Sequence, residues 1–281
     1  MQIISSAAAI KQQTEQIRSS GKTIGLVPTM GALHEGHLQL LRTAAQENSV
    51  AVCSIFVNPT QFNNAEDFKL YPRLLEADAQ LLKENNCQVL FAPAVAEMYT
   101  EALQLKFDFG ALETVMEGQF RPGHFTGVAA VVSKLFHLIK PHKAYFGQKD
   151  LQQFAIINRL VTDLSFDLEL VCHPIVREPD GLAMSSRNRR LAPDEREVAT
   201  HLYKALQLAA QTLPHQSVPE VKTAVINYLA QYEPIRLEYF EIADALTLQP
   251  VSNLQSKRNT ALCIAAYVGE VRLIDNLVIA G

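Results

Sequence analysis

The residues best suited to chemistry lie between positions 28 and 41, in PTMGALHEGHLQLL. His34 and His37 stand three apart, so on a starting helix both imidazoles face one side, and Gly31 and Gly36 let backbone come close to a ligand. The first turn of a helix also offers unpaired N–H groups and the positive end of its dipole, which together suit a phosphate. Zinc fits this segment poorly, because the protease helix motif sets its histidines four apart, whereas here the interval is three. The plain alternative is a pair of histidines that only cap a turn. Two glycines and a helix start beside them favour the phosphate.

Three other segments carry compatible groups. In SIFVNPTQF (54–62), Asn58 before Pro59 makes a turn, and Gln61 offers amide donors and an acceptor to a hydroxyl or carboxylate. In YFGQKDLQQ (145–153), a strand ends at Gly147 and Asp150 can cap a helix, leaving Lys149 as a point charge for a phosphate and Gln153 facing the same crevice. In DGLAMSSRNRRL (180–191), hydroxyls, backbone N–H groups and Arg187, Arg189 and Arg190 form a loop able to close on a triphosphate. EGQFRPGHFTG (117–127) adds Arg121 and His124 as a further active-site loop. A turn glutamine or a loop lysine is ordinary by itself; the inventory as a whole suits a pentacovalent phosphate and a leaving pyrophosphate. Acyl-enzyme chemistry is not indicated, since no Gly-x-Ser-x-Gly elbow is present.

Such segments meet only if the strands before them end on one edge of a sheet. KTIGLVPT, SVAVCSIFV and CQVLFAP alternate with amphipathic stretches at 36–48 and 73–86, the βαβ pattern of a parallel sheet. Helical patterns at 127–139 and 150–164, with strands in KAYFG and FDLELVCHPIV, continue it. The predicted fold is therefore α/β over residues 1–175. A smaller α+β domain follows over 176–281, with helices at 194–213 and 218–232 and strands in RLEYFEIADA, NTALCIAAYV and VRLIDNLVI.

Composition agrees. At 281 residues the chain exceeds the usual domain of about 100 to 200 residues, so two domains are expected. With 48% hydrophobic and 19% charged residues it is globular and not disordered. Twenty-five basic against 29 acidic residues give a charge of -4, which disfavours a nucleic-acid partner. The opening MQIISSAAAI lacks a basic leader, and no run reaches the 18 or so apolar residues that span a bilayer, so no membrane and a cytoplasmic location are expected. Cys53, Cys87, Cys172 and Cys263 lie in or beside apolar runs and read as reduced core thiols.

His34-Glu35-Gly36-His37 resembles the HIGH motif of nucleotidylyltransferases and class I aminoacyl-tRNA synthetases, and Met184-Ser185-Ser186-Arg187 resembles the counterpart of their KMSKS loop. More narrowly, VPTMGALHEGH, SIFVNPTQF, RPGHFTGV, YFGQKDLQQ and DGLAMSSRN in this order resemble the pantothenate synthetase family, over residues 22–191, with a fainter likeness in GEVRLIDN. That resemblance implies a Rossmann-like N-terminal domain, a C-terminal lid and a homodimer. It implies ATP, bound with Mg2+, and pantoate and β-alanine as substrates, reacting through a pantoyl adenylate. Carried over by position, Met30, Gly31, Ala32, Leu33, His34, Glu35, Gly36 and His37 would contact ATP. His34, His37 and Lys149 would be the catalytic set, His37 being the family's assigned proton donor. Gln61 and Gln153 would hold pantoate, Gln61 also where β-alanine comes in. Gly147, Gln148, Lys149 and Asp150 would grip the nucleotide, Val176 would touch adenine, and Met184, Ser185, Ser186 and Arg187 would close over the triphosphate; no resident metal is implied. Pyrophosphate with magnesium needs little protonation, so hydrogen-bonded charge stabilisation is the better role for His37.

Thr60, Gln148 and His173 depart from the commonest family pattern, Thr60 removing apolar contact near the substrate and Gln148 removing a negative charge beside Lys149. Two other enzyme readings stand beside this one. A plain adenylyltransferase would want basic residues for a phosphorylated acceptor where this chain has glutamines, and a tRNA-charging enzyme fits neither the acidic balance nor a short C-terminal region. A nucleotide sensor without turnover would not need both histidines, Lys149 and the Ser-Ser-Arg loop.

Overall fold

The computed structural model describes residues 1–63, 65–254 and 258–281. Its first sheet holds β1 (Gln2–Ile4), β2 (Ile24–Thr29), β3 (Val50–Ile55), β4 (Val89–Phe91), β5 (Lys143–Gly147) and β6 (Glu169–His173). All neighbours are parallel, in the order β1-β4-β3-β2-β5-β6. Helices connect them: α1 (Ala7–Ser19), α2 (Glu35–Glu47), α3 (Ala65–Leu70), α4 (Leu75–Glu84), α5 (Val95–Met98), α6 (Met116–Phe120), α7 (His124–Ile139) and α8 (Leu151–Asp163). Beyond β6 come α9 (Pro193–Val198), α10 (His201–Thr212) and α11 (Val218–Leu229), then β7 (Ile235–Asp244), β8 (Thr260–Val268) and β9 (Val271–Ile279).

The strands of the first sheet are almost wholly apolar because both of its faces are covered. Successive side chains point to opposite faces. Leu26, Val52 and Phe146 join one core with Ile10 and Ile17 of α1 and Val128 to Ile139 of α7, while their neighbours Val27, Cys53 and Tyr145 join another with Leu40 and Leu41 of α2 and Leu82 of α4. From β2 the chain winds outward to β3 and β4, and β5 lies on β2's other side. The winding direction therefore reverses between β2 and β5. A reversal of that kind opens a crevice beyond the carboxyl ends of the two strands, the usual ligand position in an open parallel sheet.

In the second sheet β8 is central and antiparallel to both β7 and β9. Leu262, Ile264, Ala266 and Val268 of β8 pack on α10 and α11, whereas Ala261 and Cys263 from its other face join Met116 of α6 and Leu248. That second face anchors the small sheet to the elements carrying the site.

Several expectations need correction. A strand, β1, and a helix, α1, precede KTIGLVPT, where none is expected from the apolar pattern; β1 adds to the outer edge of β4 over three residue pairs, and Ser6 caps α1 with its side chain. The helix expected over 194–213 is two helices, α9 and α10. Between them the Thr200 hydroxyl donates to the Glu197 carbonyl at 2.8 Å, a local bond that competes with the helical ladder. Cys172 is exposed while the other three cysteines are buried, because β6 is an edge strand. No helix among the described residues is long and apolar enough to cross a membrane.

Candidate active site

From Thr29 at the end of β2 the chain must reverse within four residues to start α2. It does so through left-handed backbone at Gly31 (φ 83°) and Ala32 (φ 51°), of which the second is costly for a residue with a Cβ. Asp78 of α4, almost fully buried, holds the turn by accepting the N–H of Ala32 at 2.8 Å and of Leu33 at 2.9 Å. A Cβ on Gly31 would stand 3.0 Å from that same carboxylate.

His34 caps α2. Its Nδ1 accepts from the Gly36 N–H at 3.2 Å, and Nδ1 of His37 accepts from the His34 N–H at 3.4 Å. A backbone N–H can only donate, so both Nδ1 atoms are bare and both rings carry their proton on Nε2. Capping and phosphate binding are therefore compatible: the caps fix two neutral imidazoles as donors, ring centroids 4.1 Å apart. Burial is the main reason both stay neutral. It lowers His34 to about 3, helped by His37 and Lys149, and lowers His37 to about 4, helped by Lys149.

The second loop turns on Asn58, which is 1% exposed. Its Nδ2 donates to Gln61 Oε1 at 3.0 Å and to the Gly127 carbonyl at 3.1 Å, while its Oδ1 accepts from Tyr99 and Thr60 hydroxyls at 2.9 and 3.0 Å. With its amide oxygen committed to Asn58, Gln61 presents its NH2 group, 3.2 Å from Met30 Sδ. Gly127 permits this packing, since a Cβ there would lie 2.3 Å from the Thr60 carbonyl. Nδ1 of His124 lies 2.8 Å from the Gln61 carbonyl, which can only accept. This ring consequently carries its proton on Nδ1, the opposite tautomer to the other two, and burial and then Arg121 lower it to about 4.

At the end of β5, Gln148–Asp150 forms a single 3-10 turn that places Lys149 Nζ 3.8 Å from Asp150 Oδ1. The fourth loop leaves β6 as a short hairpin, with the Met184 N–H on the Val176 carbonyl at 3.0 Å and Arg177 bridged to Ala183. Ser185 Oγ accepts from the Arg187 N–H at 3.2 Å, and Arg187 reaches Asp67 of α3 at 3.1 Å. Arg189 reaches back to the Leu33 carbonyl at 3.4 Å, linking this loop to the first.

All four loops line one cavity of about 250 Å³. Of the residues singled out from the sequence, Met30, His34, Gly36, His37, Gln61, Gly147, Lys149, Asp150, Gln153, Val176, Met184, Ser185, Ser186 and Arg187 line it, with Arg121, His124 and His173. Gly31, Ala32, Leu33, Glu35 and Gln148 do not: Ala32 and Leu33 are 1% exposed in the core, Glu35 pairs with Arg42, and Gln148 turns to Asn276. Thr60 also lies outside the lining. Its hydroxyl donates to Asn58 Oδ1 at 3.0 Å.

Sequence reasoning passes over Asp78, and it assigns no role to Glu117, Arg272, Asp275 or Asn276 within the segments EGQFRPGHFTG and GEVRLIDN. Arg272 of β9 grips Glu117 of α6 through both carboxylate oxygens, at 2.7 and 2.9 Å, and Tyr239 of β7 donates to the same carboxylate at 3.0 Å. Burial alone would raise Glu117; the guanidinium overrides it and holds the group at about 2. Among the described residues no three His, Cys, Asp or Glu side chains gather as a metal-ligand cluster.

Comparison with known proteins gives a concordant set of relatives. The family model described as pantoate-beta-alanine ligase matches residues 2–278. Pantothenate synthetase of Cytophaga hutchinsonii is 49% identical over 278 residues, covering 98% of each chain. That of Thermotoga neapolitana is 47% identical, covering 99% of this chain and all of its own. A crystal structure of the pantothenate synthetase from Thermus thermophilus superposes over the whole of both chains with a TM-score of 0.93 at 42% identity. The Francisella tularensis ligase, complexed with beta-gamma ATP and beta-alanine, superposes with a TM-score of 0.81 at 35% identity, over 99% of this chain and 97% of its own.

Proposed function

Because this chain belongs to the pantoate-β-alanine ligase family, we propose that it joins (R)-pantoate to β-alanine through a pantoyl adenylate, converting ATP to AMP and pyrophosphate. The observation that supports this most is the meeting of four separated loops at one cavity beyond β2 and β5. The ligands named for the Francisella relative, beta-gamma ATP and beta-alanine, match two of the three substrates.

In the first step a carboxylate oxygen of pantoate attacks the α-phosphorus and the bond to the bridging oxygen of pyrophosphate breaks. Charge grows on the leaving group. The Nε2–H donors of His34 and His37, the Lys149 ammonium and the Ser185–Arg187 loop meet it. A neutral imidazole donates a hydrogen bond without surrendering its proton, so His37 stabilises charge and is not an acid in this reading. Magnesium arrives with the triphosphate as part of the substrate, coordinated by phosphate oxygens and water.

In the second step the uncharged amine of β-alanine attacks the acyl carbon. The bond from that carbon to the AMP oxygen breaks, its electron pair leaving with AMP, and the nitrogen passes its extra proton to water. The Gln61 NH2 group and Gln153 hold the hydroxyls and carboxyl of pantoate, and Val176 packs on adenine. Residues 1–175 form the binding domain and 176–281 the lid in this reading, within a cytoplasmic homodimer.

Omitting each substrate in turn tests the proposal. Pyrophosphate should appear in a burst from ATP and pantoate alone, and steady AMP release should need β-alanine as well. AMP formed equally fast without pantoate would overturn it.

A further inference from the structure

The last strand touches both phosphate loops through two adjacent residues, Asp275 and Asn276, which are 4% and 3% exposed. Asn276 Nδ2 donates to the carbonyls of Gln148 at 2.9 Å and Lys149 at 3.0 Å, and its Oδ1 accepts from Gln148 Nε2 at 3.1 Å. The amide thus spends both donors and its acceptor on the one turn that carries Lys149. Asp275 takes both ends of the Arg177 guanidinium, at 2.6 and 2.9 Å, and Arg177 also donates to the Gly181 carbonyl at 3.0 Å. Arg177 opens the hairpin whose return limb becomes Met184 to Arg187.

We propose that Asn276 is a positioning residue for Lys149, and that with Asp275 it sets the distance between the lysine turn and the Ser-Ser-Arg loop, so that β9 tunes the grip on the β- and γ-phosphates. This rests on the function proposed above. Gln148 thereby gains a reason: a glutamate at 148 has no N–H to offer Asn276 Oδ1, whereas glutamine closes the pair. The side chain missing from the cavity lining acts from behind it.

The turn matters most where the triphosphate is present. Pantoyl adenylate keeps only the α-phosphate, so its reaction with β-alanine should be nearly indifferent to the clamp. Asn276→Asp has almost the same shape but no N–H, and it sets a carboxylate against two carbonyl oxygens. Three quantities would be measured in wild type and variant: the dissociation constant of β,γ-methylene-ATP, the burst of pyrophosphate with pantoate, and the aminolysis of supplied pantoyl adenylate. The clamp predicts at least tenfold weaker analogue binding or a tenfold slower burst, with aminolysis within threefold of wild type. An unchanged burst and affinity, or equal losses in both half-reactions, overturns it. If the aspartate variant melts well below wild type, Asn276→Ser, which adds no charge, is held to the same criterion. Failure of the wild type to bind the analogue at all would count against the proposed function instead, which keeps the two readings separable.

Discussion

The carboxylate of Asp78 accepts the backbone N–H of Ala32 at 2.8 Å, and its other oxygen takes the next N–H along, that of Leu33. α4 in this way pins a non-glycine residue in left-handed backbone, a conformation that costs about 1–3 kcal/mol unless its surroundings impose it.

Asp78→Ala should therefore strike stability and activity together. Two buried N–H groups lose their acceptor, each at a cost of about 1–3 kcal/mol. The turn would relax, carrying His34 away from His37. A lower melting temperature and a slower pyrophosphate burst are expected, with Asp78→Asn intermediate because one acceptor survives. A variant as stable and as fast as wild type would mean that the turn is held by its other contacts.

Three histidines facing the cavity make stability depend on pH in a definite direction. His34, His37 and His124 sit at about 3, 4 and 4, below the ordinary 6.5. Between those values the unfolded chain binds protons that the folded one refuses, so stability is full above about 6.5 and falls as pH drops towards 4. Chemical denaturation from pH 7 to 5, a window above the usual carboxylate range, should show a falling midpoint, and His37→Gln should flatten the slope. A midpoint that rose on acidification would contradict the lowered values of these rings.

What the sequence discloses of this arrangement follows from range. Near-continuous apolar runs such as VAVCSIFV signal a sheet covered on both sides, and strand-end clusters signal loops on one rim, because both are local patterns. Asp78 carries no such signal: in LEADAQLLKE it looks like one more acid on a helix surface, and only the docking of α4 beneath the first loop buries it. Asn276 lies 127 residues from Lys149, and spacing cannot announce a contact made by packing two sheets. Ala32, Leu33 and Glu35 are expected on the nucleotide as parts of a whole segment; the turn that presents His34 and His37 aims their side chains into the core or towards Arg42, which spacing alone does not disclose.

The pair Glu117–Arg272 joins α6 to β9 with little solvent around it, Glu117 being 7% exposed. Arg272→Met should destabilise the protein by up to about 3–5 kcal/mol, since it leaves the buried Glu117 carboxylate only Arg121 at 3.5 Å and the Tyr239 hydroxyl as partners and takes the guanidinium from Glu238 as well. Glu117→Gln in the same chain should recover a good part of that loss by removing the charge, and urea denaturation of the two single variants and the double would give the coupling. If the two losses simply add, the carboxylate and the guanidinium do not depend on each other as the geometry requires.

Lys149 and His37 are coupled through charge, and that coupling can be read without turnover. The lysine helps to keep both His34 and His37 unprotonated, after the larger effect of burial. Lys149→Ala should therefore raise the NMR titration midpoints of both rings while leaving them below 6.5, because burial persists. The same variant removes a positive charge from the phosphate path. Its pyrophosphate burst should fall by about a hundred- to a thousandfold, as for loss of one donor to a developing anion, with an unchanged melting temperature. His37→Ala should lose a similar factor. If the histidine midpoints stay put in Lys149→Ala, the ammonium lies too far from the rings to act with them on one phosphate; if the burst survives, the lysine has no part in the chemistry.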